Sequence, residues 1–166
     1  MKRFIAAILA VLTAVFLTHA SAQAQELKKL NLDDASALGL TIVTDKEVKA
    51  EGEASVKITT AGPVTVCLGE AKGLEIDDAK LLYQAKVKSD LEGYALLEMW
   101  VEVNGGRFFS RSMNDMIVGK SDWKTLQAPF ILKERQKATR VVFNLMVSGK
   151  GTVWVDDIAL SKEPLK

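Results

Sequence analysis

The sequence predicts an all-β chain, a two-sheet antiparallel β-sandwich of about eight strands. Three observations carry that expectation. Runs with apolar side chains at every second position recur from residue 55 to residue 160, at spacings of roughly 8–15 residues. Glycine- or proline-containing turns separate them, and no stretch between them reads convincingly as a helix. The 166 residues are 48% hydrophobic and 26% charged, which suits one globular domain with a sizeable core.

The elements follow in order. Lys2 and Arg3 precede an apolar stretch over 4–17, and Ala20-Ser21-Ala22 and Ala22-Gln23-Ala24 are small-x-small cleavage sites. This is the pattern of a secretory signal peptide over 1–24, cleaved after Ala24 or Ala22. The apolar run is short for a spanning helix of about 20 residues. With no cysteine at the cleavage sites, a lipoprotein anchor is not expected. The expected destination is the periplasm or the medium, and 25–166 is expected to be a single β-sandwich domain. Leu27, Leu30 and Leu32 suggest an irregular lead-in strand. Strands are expected at 55–60, with Val56 and Ile58 on one face, and at 64–68, with Val64, Val66 and Leu68 on one face. Gly73 and Asp77-Asp78 favour a loop over 72–80. Further strands are expected at 81–88, 94–103 and 107–112, the last after a turn marked by Gly105-Gly106. A run at 123–132 is interrupted by Pro129. The last two strands, 140–147 and 152–160, flank a turn at 149–151.

Composition then limits the chemistry. With 22 Lys+Arg against 21 Asp+Glu the chain lacks the dense basic character that nucleic acid needs. A single cysteine permits no disulfide within the chain. Cleavage after Ala24 would remove Lys2, Arg3 and the one histidine, His19, turning a formal +1 into −1. Without imidazole, Ser-His-Asp and Cys-His catalysis are excluded and zinc chemistry is disfavoured. Cys67, between Val66 and Leu68, is expected to be a buried or half-buried structural thiol. An enzyme would have to rely on carboxylates, as glycosidases do.

Alternation also defines a second face. In 94–103 the set Leu97, Met99, Val101 and Val103 belongs in the core, which turns Glu98, Trp100 and Glu102 the other way. In 140–147 the corresponding non-core residues include Asn144, in 81–88 they include Gln84, and in 107–112 Arg111 shares a side with Phe109. If these strands share a sheet, Trp100, Glu98, Glu102, Gln84, Asn144 and Arg111 would lie on one face. Such a face suits a sugar: an aromatic ring packs on a pyranose, and amide, carboxylate and guanidinium groups pair with hydroxyls. The alternative is a tryptophan covered by a loop, with solubilising charges around it. Glu98 and Glu102 stand about 13 Å apart along a strand at about 3.3 Å per residue, wider than the roughly 5–9 Å of glycosidase carboxyls.

The segment Gly149-Lys150-Gly151-Thr152-Val153-Trp154-Val155-Asp156-Asp157-Ile158-Ala159-Leu160 resembles the last strand of carbohydrate-binding modules of the galactose-binding-like jelly-roll type, including the CenC-like modules of secreted glycanases. Gly52-Glu53-Ala54-Ser55, leading into Val56-Lys57-Ile58, resembles their opening Gly-x-x-Ser strand. Ser121-Asp122-Trp123-Lys124-Thr125-Leu126, followed by Phe130, resembles their central Trp-containing strand. The resemblance covers residues 30–162. It implies a jelly roll with no catalytic function that recognises a polysaccharide or oligosaccharide on its concave sheet face. A separate secreted glycan-active enzyme is an implied partner, and no membrane association is expected after cleavage. It implies packing roles for Trp123 and Trp154. It also implies a structural calcium in many members, for which Asp157 or Asp156 would be the matching carboxylate and Glu51 a second ligand. The competing function is a protein-interaction or envelope-assembly sandwich that binds no sugar. A third, a minimal glycan-active enzyme, would use Glu98 and Glu102.

Overall fold

The structure, a computed structural model, describes residues 25–30 and 42–165; the export segment expected over 1–24 lies outside them. Its elements are β1 (Gln25–Leu30), β2 (Ile42–Asp45), β3 (Ser55–Thr60), β4 (Val64–Asp77), β5 (Ala79–Val103), β6 (Gly106–Arg111), β7 (Ile117–Ile131) and β8 (Lys137–Pro164). All pairings are antiparallel.

Two strands organise everything else. β5 has 25 residues and β8 has 28, and they pair with each other from Ala79↔Pro164 to Val103↔Ala138. A straight strand of β5's length would reach roughly 80 Å. A compact domain of this size has a radius of gyration of only about 14 Å. The ribbon must therefore fold on itself, and its side chains show how. The same parity of β5 is buried on both sides of Gly93: Leu81, Tyr83, Ala85 and Val87 before it, then Ala95, Leu97, Met99, Val101 and Val103 after it. These residues belong to one core. Tyr83 and Phe143, which are not sheet neighbours, meet across that core with ring centroids 5.1 Å apart. The Tyr83 hydroxyl donates to the Asn144 carbonyl at 3.4 Å. The two leaves of the sandwich are thus one folded ladder. One leaf runs β2-β3-β8-β5-β7, with β1 on the last part of β8; the other runs β4-β8-β5-β6.

The crease is built from glycine. Gly93 pairs with Gly149 and Leu91 with Gly151. Their φ values, +146°, +130° and +130°, turn the missing side chain towards the ladder. A Cβ on Gly93 would fall 1.9 Å from the Ser148 carbonyl oxygen, on Gly149 2.1 Å from that of Glu92, and on Gly151 2.2 Å from that of Asp90. The turn expected at 149–151 is therefore a continuous strand through a bend. The pairs 81–88/94–103 and 140–147/152–160 merge accordingly into β5 and β8.

Other boundaries moved for local reasons. The loop expected at 72–80 is largely strand, because β4 continues to Asp77 by absorbing extra residues between Lys72 and Ile76, where Gly73 has φ +65°. β2, absent from the sequence expectation, pairs with β3. Pro129 is tolerated because, among the described residues, β7 pairs on one side only, with β5. In β8 a bulge at Asp157, φ +49°, shifts the buried parity from Val153 and Val155 to Ile158 and Leu160.

Three side chains sit farther out than expected. Cys67 is exposed: Val66 and Leu68 take the core positions, and Cys67 faces outward opposite Asn144. Trp154 is half-buried and outside the core, because Val153 and Val155 fill it. Its indole Nε1 donates to Asp45 at 2.9 Å. Trp123 is likewise half-buried and lines a surface cleft with Lys49, Lys86 and Lys124.

Candidate functional site

The outward face of the β4-β8-β5-β6 leaf carries the expected cluster. Antiparallel pairing sets residues side by side: Glu98 lies opposite both Asn144 of β8 and Arg111 of β6, and Trp100 lies opposite Val142 and Phe109. Glu102 lies opposite Arg140 and Arg107. The hairpin that brings β6 into this register turns on Asn104-Gly105, both with positive φ, as a two-residue loop requires.

At the centre is a buried carboxylate. Glu98 is 4% exposed. Its Oε1 accepts from Trp100 Nε1 at 2.7 Å and from Asn144 Nδ2 at 3.2 Å. Its Oε2 accepts from Arg111 Nε at 2.7 Å. Burial of a charge is tolerable only with such partners, and here three donors surround one anion. Glu98 therefore fixes the indole plane, the amide and the guanidinium, and its own oxygens are already committed.

The indole is covered by side chains of β6. The Arg107 guanidinium carbon lies 4.7 Å from the Trp100 ring centroid, and the Phe109 ring lies 5.2 Å away, tilted by 45°. Arg111 in turn lies 4.8 Å from the centre of Phe109. Phe109 is 52% exposed, so the aromatic pair reaches solvent chiefly through its phenyl ring. Beside it, Arg140 bridges Glu102, at 2.9 Å from Nη1, and Glu70, at 2.8 Å from Nε. Lys72 and then Arg140 hold the Glu70 carboxyl below its usual range, by hydrogen bonding to the ionised form. Arg111 also borders a cleft of about 230 Å³ shared with Leu82, Met113, Asn114 and Gln127.

Five of the six expected residues thus stand together: Trp100, Glu98, Asn144 and Arg111 in direct contact, and Glu102 one position on. Gln84 does not join them. It lies before the crease in β5, in the other leaf, and its amide oxygen is 3.5 Å from Gln127 Nε2. The sequence reading missed Arg107, Phe109 and Arg140 as members. Counting outward from Asn104-Gly105 as a two-residue turn would have placed Arg107 and Phe109 against Glu102 and Trp100. Each glutamate of the carboxylate pair is closed in its own ion pair, Glu98 with Arg111 and Glu102 with Arg140.

The residues expected to hold calcium are otherwise engaged. Asp156 Oδ2 accepts from the backbone amides of Ala50 and Glu51, each at 2.9 Å, and its Oδ1 from the amide of Asp157 at 2.8 Å. The Lys86 ammonium contacts the carboxylates of Glu51 and, at 3.6 Å, Asp157. Among the described residues no three His, Cys, Asp or Glu side chains are grouped to hold a metal ion. As they stand, these residues do not fit a calcium ion, which needs six to eight oxygens around it.

The fold recurs in known structures at low sequence identity. The xylan-binding CBM22-1 domain of Paenibacillus barcinonensis Xyn10C matches with a TM-score of 0.55 and 15% identity, over 89% of this chain and all of that one (100%). The protein described as Family 16 Carbohydrate Binding Module-2 matches with a TM-score of 0.53 and 13% identity, over 74% of this chain and 86% of that one. The Stig cyclase Fisc from Fischerella sp. TAU matches with a TM-score of 0.52 and 13% identity, over 74% and 70%. No protein-family model matches the chain, and no curated protein does. The chain has the jelly-roll sandwich fold of carbohydrate-binding modules. That fold also occurs in a cyclase, so function must be argued from the site.

Proposed function

We propose that the protein is an exported, non-catalytic carbohydrate-binding protein. On this reading it holds a polysaccharide or oligosaccharide against the outward face of the β4-β8-β5-β6 leaf. The observation that carries the reading is the buried Glu98 carboxylate, which locks Trp100 and Arg111, backed by the buried Asn144, into one preorganised surface beside the exposed Phe109. Aromatic rings stack on the apolar faces of a sugar, and a guanidinium held in place meets its hydroxyls with little loss of rotamer freedom on binding. Arg107, exposed on β6, is the group a stacking sugar would displace from the Trp100 ring. The ion-paired glutamates favour binding over hydrolysis, since a glycosidase needs one carboxyl free to donate a proton and another to attack or to activate water. The signal-like segment over 1–24 supports export, and a secreted glycan-active enzyme is the natural partner.

The test is a screen of the purified protein against soluble and insoluble glycans beside Trp100→Ala and Phe109→Ala, with circular dichroism to confirm folding. Binding by the wild type that both folded variants lose supports the reading. A wild type that binds no glycan overturns it. One observation would then favour the second reading, a protein-interaction module. Strand β6 pairs only with β5 among the described residues and exposes Phe108 and Phe109, a sheet edge that β7 touches through the Ser110 hydroxyl and the Pro129 carbonyl but does not pair with.

A further inference from the structure

The misfit at the calcium position has a specific cause. Lys86 lies directly opposite Asp156 in the β5-β8 ladder, immediately beside the bulge. That bulge, with Asp157 at φ +49°, aims successive carboxylates in different directions. Asp156, 7% exposed, turns to the segment between β2 and β3 and takes its amides. Asp157 turns to Lys86, and Glu51, from the segment between β2 and β3, contacts the same ammonium. The segment is tied elsewhere as well: Asp45 Oδ1 accepts from the amides of Glu47 and Val48 at 3.0 Å, and the Ser55 hydroxyl donates to the Val48 carbonyl.

Glu51 and Asp157, on neighbouring elements, both approach the Lys86 ammonium, and two carboxylates drawn to one place repel unless positive charge stands between them. We infer that the Lys86 ammonium is a tethered replacement for a divalent cation, pinning the β2–β3 segment to the last strand without any metal. The side chain supplies one positive charge where a calcium would supply two. The remaining carboxylate, Asp156, is correspondingly withdrawn to neutral amide donors. Hydrogen bonding to Glu51, and then the charges of Glu51 and Asp157, keep the ammonium protonated above the usual lysine range. The inference does not depend on whether the outward face of the other leaf binds sugar.

The experiment is thermal unfolding of the purified protein expressed from the full chain. The wild type, Lys86→Ala and Lys86→Arg are each compared in excess calcium, in EDTA, and in sodium chloride of matched ionic strength. The wild type should unfold at the same temperature in all three. Lys86→Ala should unfold several degrees lower and recover part of the loss in calcium but not in sodium. Lys86→Arg, which keeps the charge, should stay close to the wild type in all three conditions. Stabilisation of the wild type by calcium, reversed by EDTA, overturns the inference because the site then takes the metal despite the lysine. A Lys86→Ala variant as stable as the wild type overturns it too, since no cation is then needed. A loss that calcium does not restore overturns it by reducing the contact to an ordinary ion pair.

Discussion

Glu98→Gln probes the cluster on which the functional reading stands. The substitution keeps the volume and removes the charge. Glu98 uses both oxygens as acceptors, one for Trp100 and Asn144 and the other for Arg111. A glutamine has one acceptor, and its NH₂ must face either the guanidinium or the indole and amide donors. The lower-cost choice keeps Trp100 and Asn144 and turns the NH₂ towards Arg111. A hydrogen bond between charged groups contributes about 1.5–3 kcal/mol, and two facing donors add a penalty. The Arg111 side chain is 36% exposed, however, and can turn to water, which recovers part of that. The net cost is about 1.5–3 kcal/mol, a large part of a total stability of about 5–15 kcal/mol. Urea unfolding followed by tryptophan fluorescence reads it as a lower midpoint at unchanged slope. Glycan binding should weaken in the folded variant, because Arg111 is no longer held. A variant within about 0.5 kcal/mol of the wild type would refute the view that this carboxylate organises the face.

Three further variants have expected outcomes. Gly93→Ala places a Cβ 1.9 Å from a backbone carbonyl oxygen at φ +146°; it should cost at least about 3 kcal/mol or prevent folding, read by the yield of soluble protein and urea unfolding. Gly52→Ala, also at positive φ but with open space around it, should cost less. Asp45 is held below the usual carboxyl range by the Val48 amide first and the Trp154 indole second. A carboxyl depressed in the folded state adds stability that is fully present above its unfolded value of about 3.9 and is lost as pH falls through the lower folded value. Asp45→Asn should therefore lower the melting temperature at neutral pH. It should also flatten the acid limb of the melting-temperature profile below about pH 4; an unchanged limb would count against the assignment.

Much of the site was legible because a strand has period two. Once Leu97 and Met99 are placed in the core, Glu98, Trp100 and Glu102 must face away, and the same logic assigns Asn144, Arg111 and Phe109 to their sides. Cys67 obeys that rule as well, since Val66 and Leu68 claim the inside. Its expected burial rested on its apolar neighbours and on the general habits of cysteine, whereas alternation applied to those same neighbours turns it outward. Gln84 shows the limit of the rule. Alternation puts it on a non-core face without saying which leaf that face belongs to.

The sequence by itself determined which side of each strand is buried, since sidedness is a local property written in alternate residues. It also determined the all-β class and the absence of histidine chemistry from any chain cleaved after His19. Tertiary structure decided what local pattern cannot carry. Gly149 and Gly151 look like a turn in one dimension; they form a bend inside an unbroken strand because Glu92 and Asp90 lie against them across the ladder. Asp156 and Asp157 look like a matched pair of ligands; a one-residue bulge sends one to backbone amides and the other to Lys86. In each case the outcome rests on a partner tens of residues away, and only the hydrogen-bond register between strands specifies which partner that is.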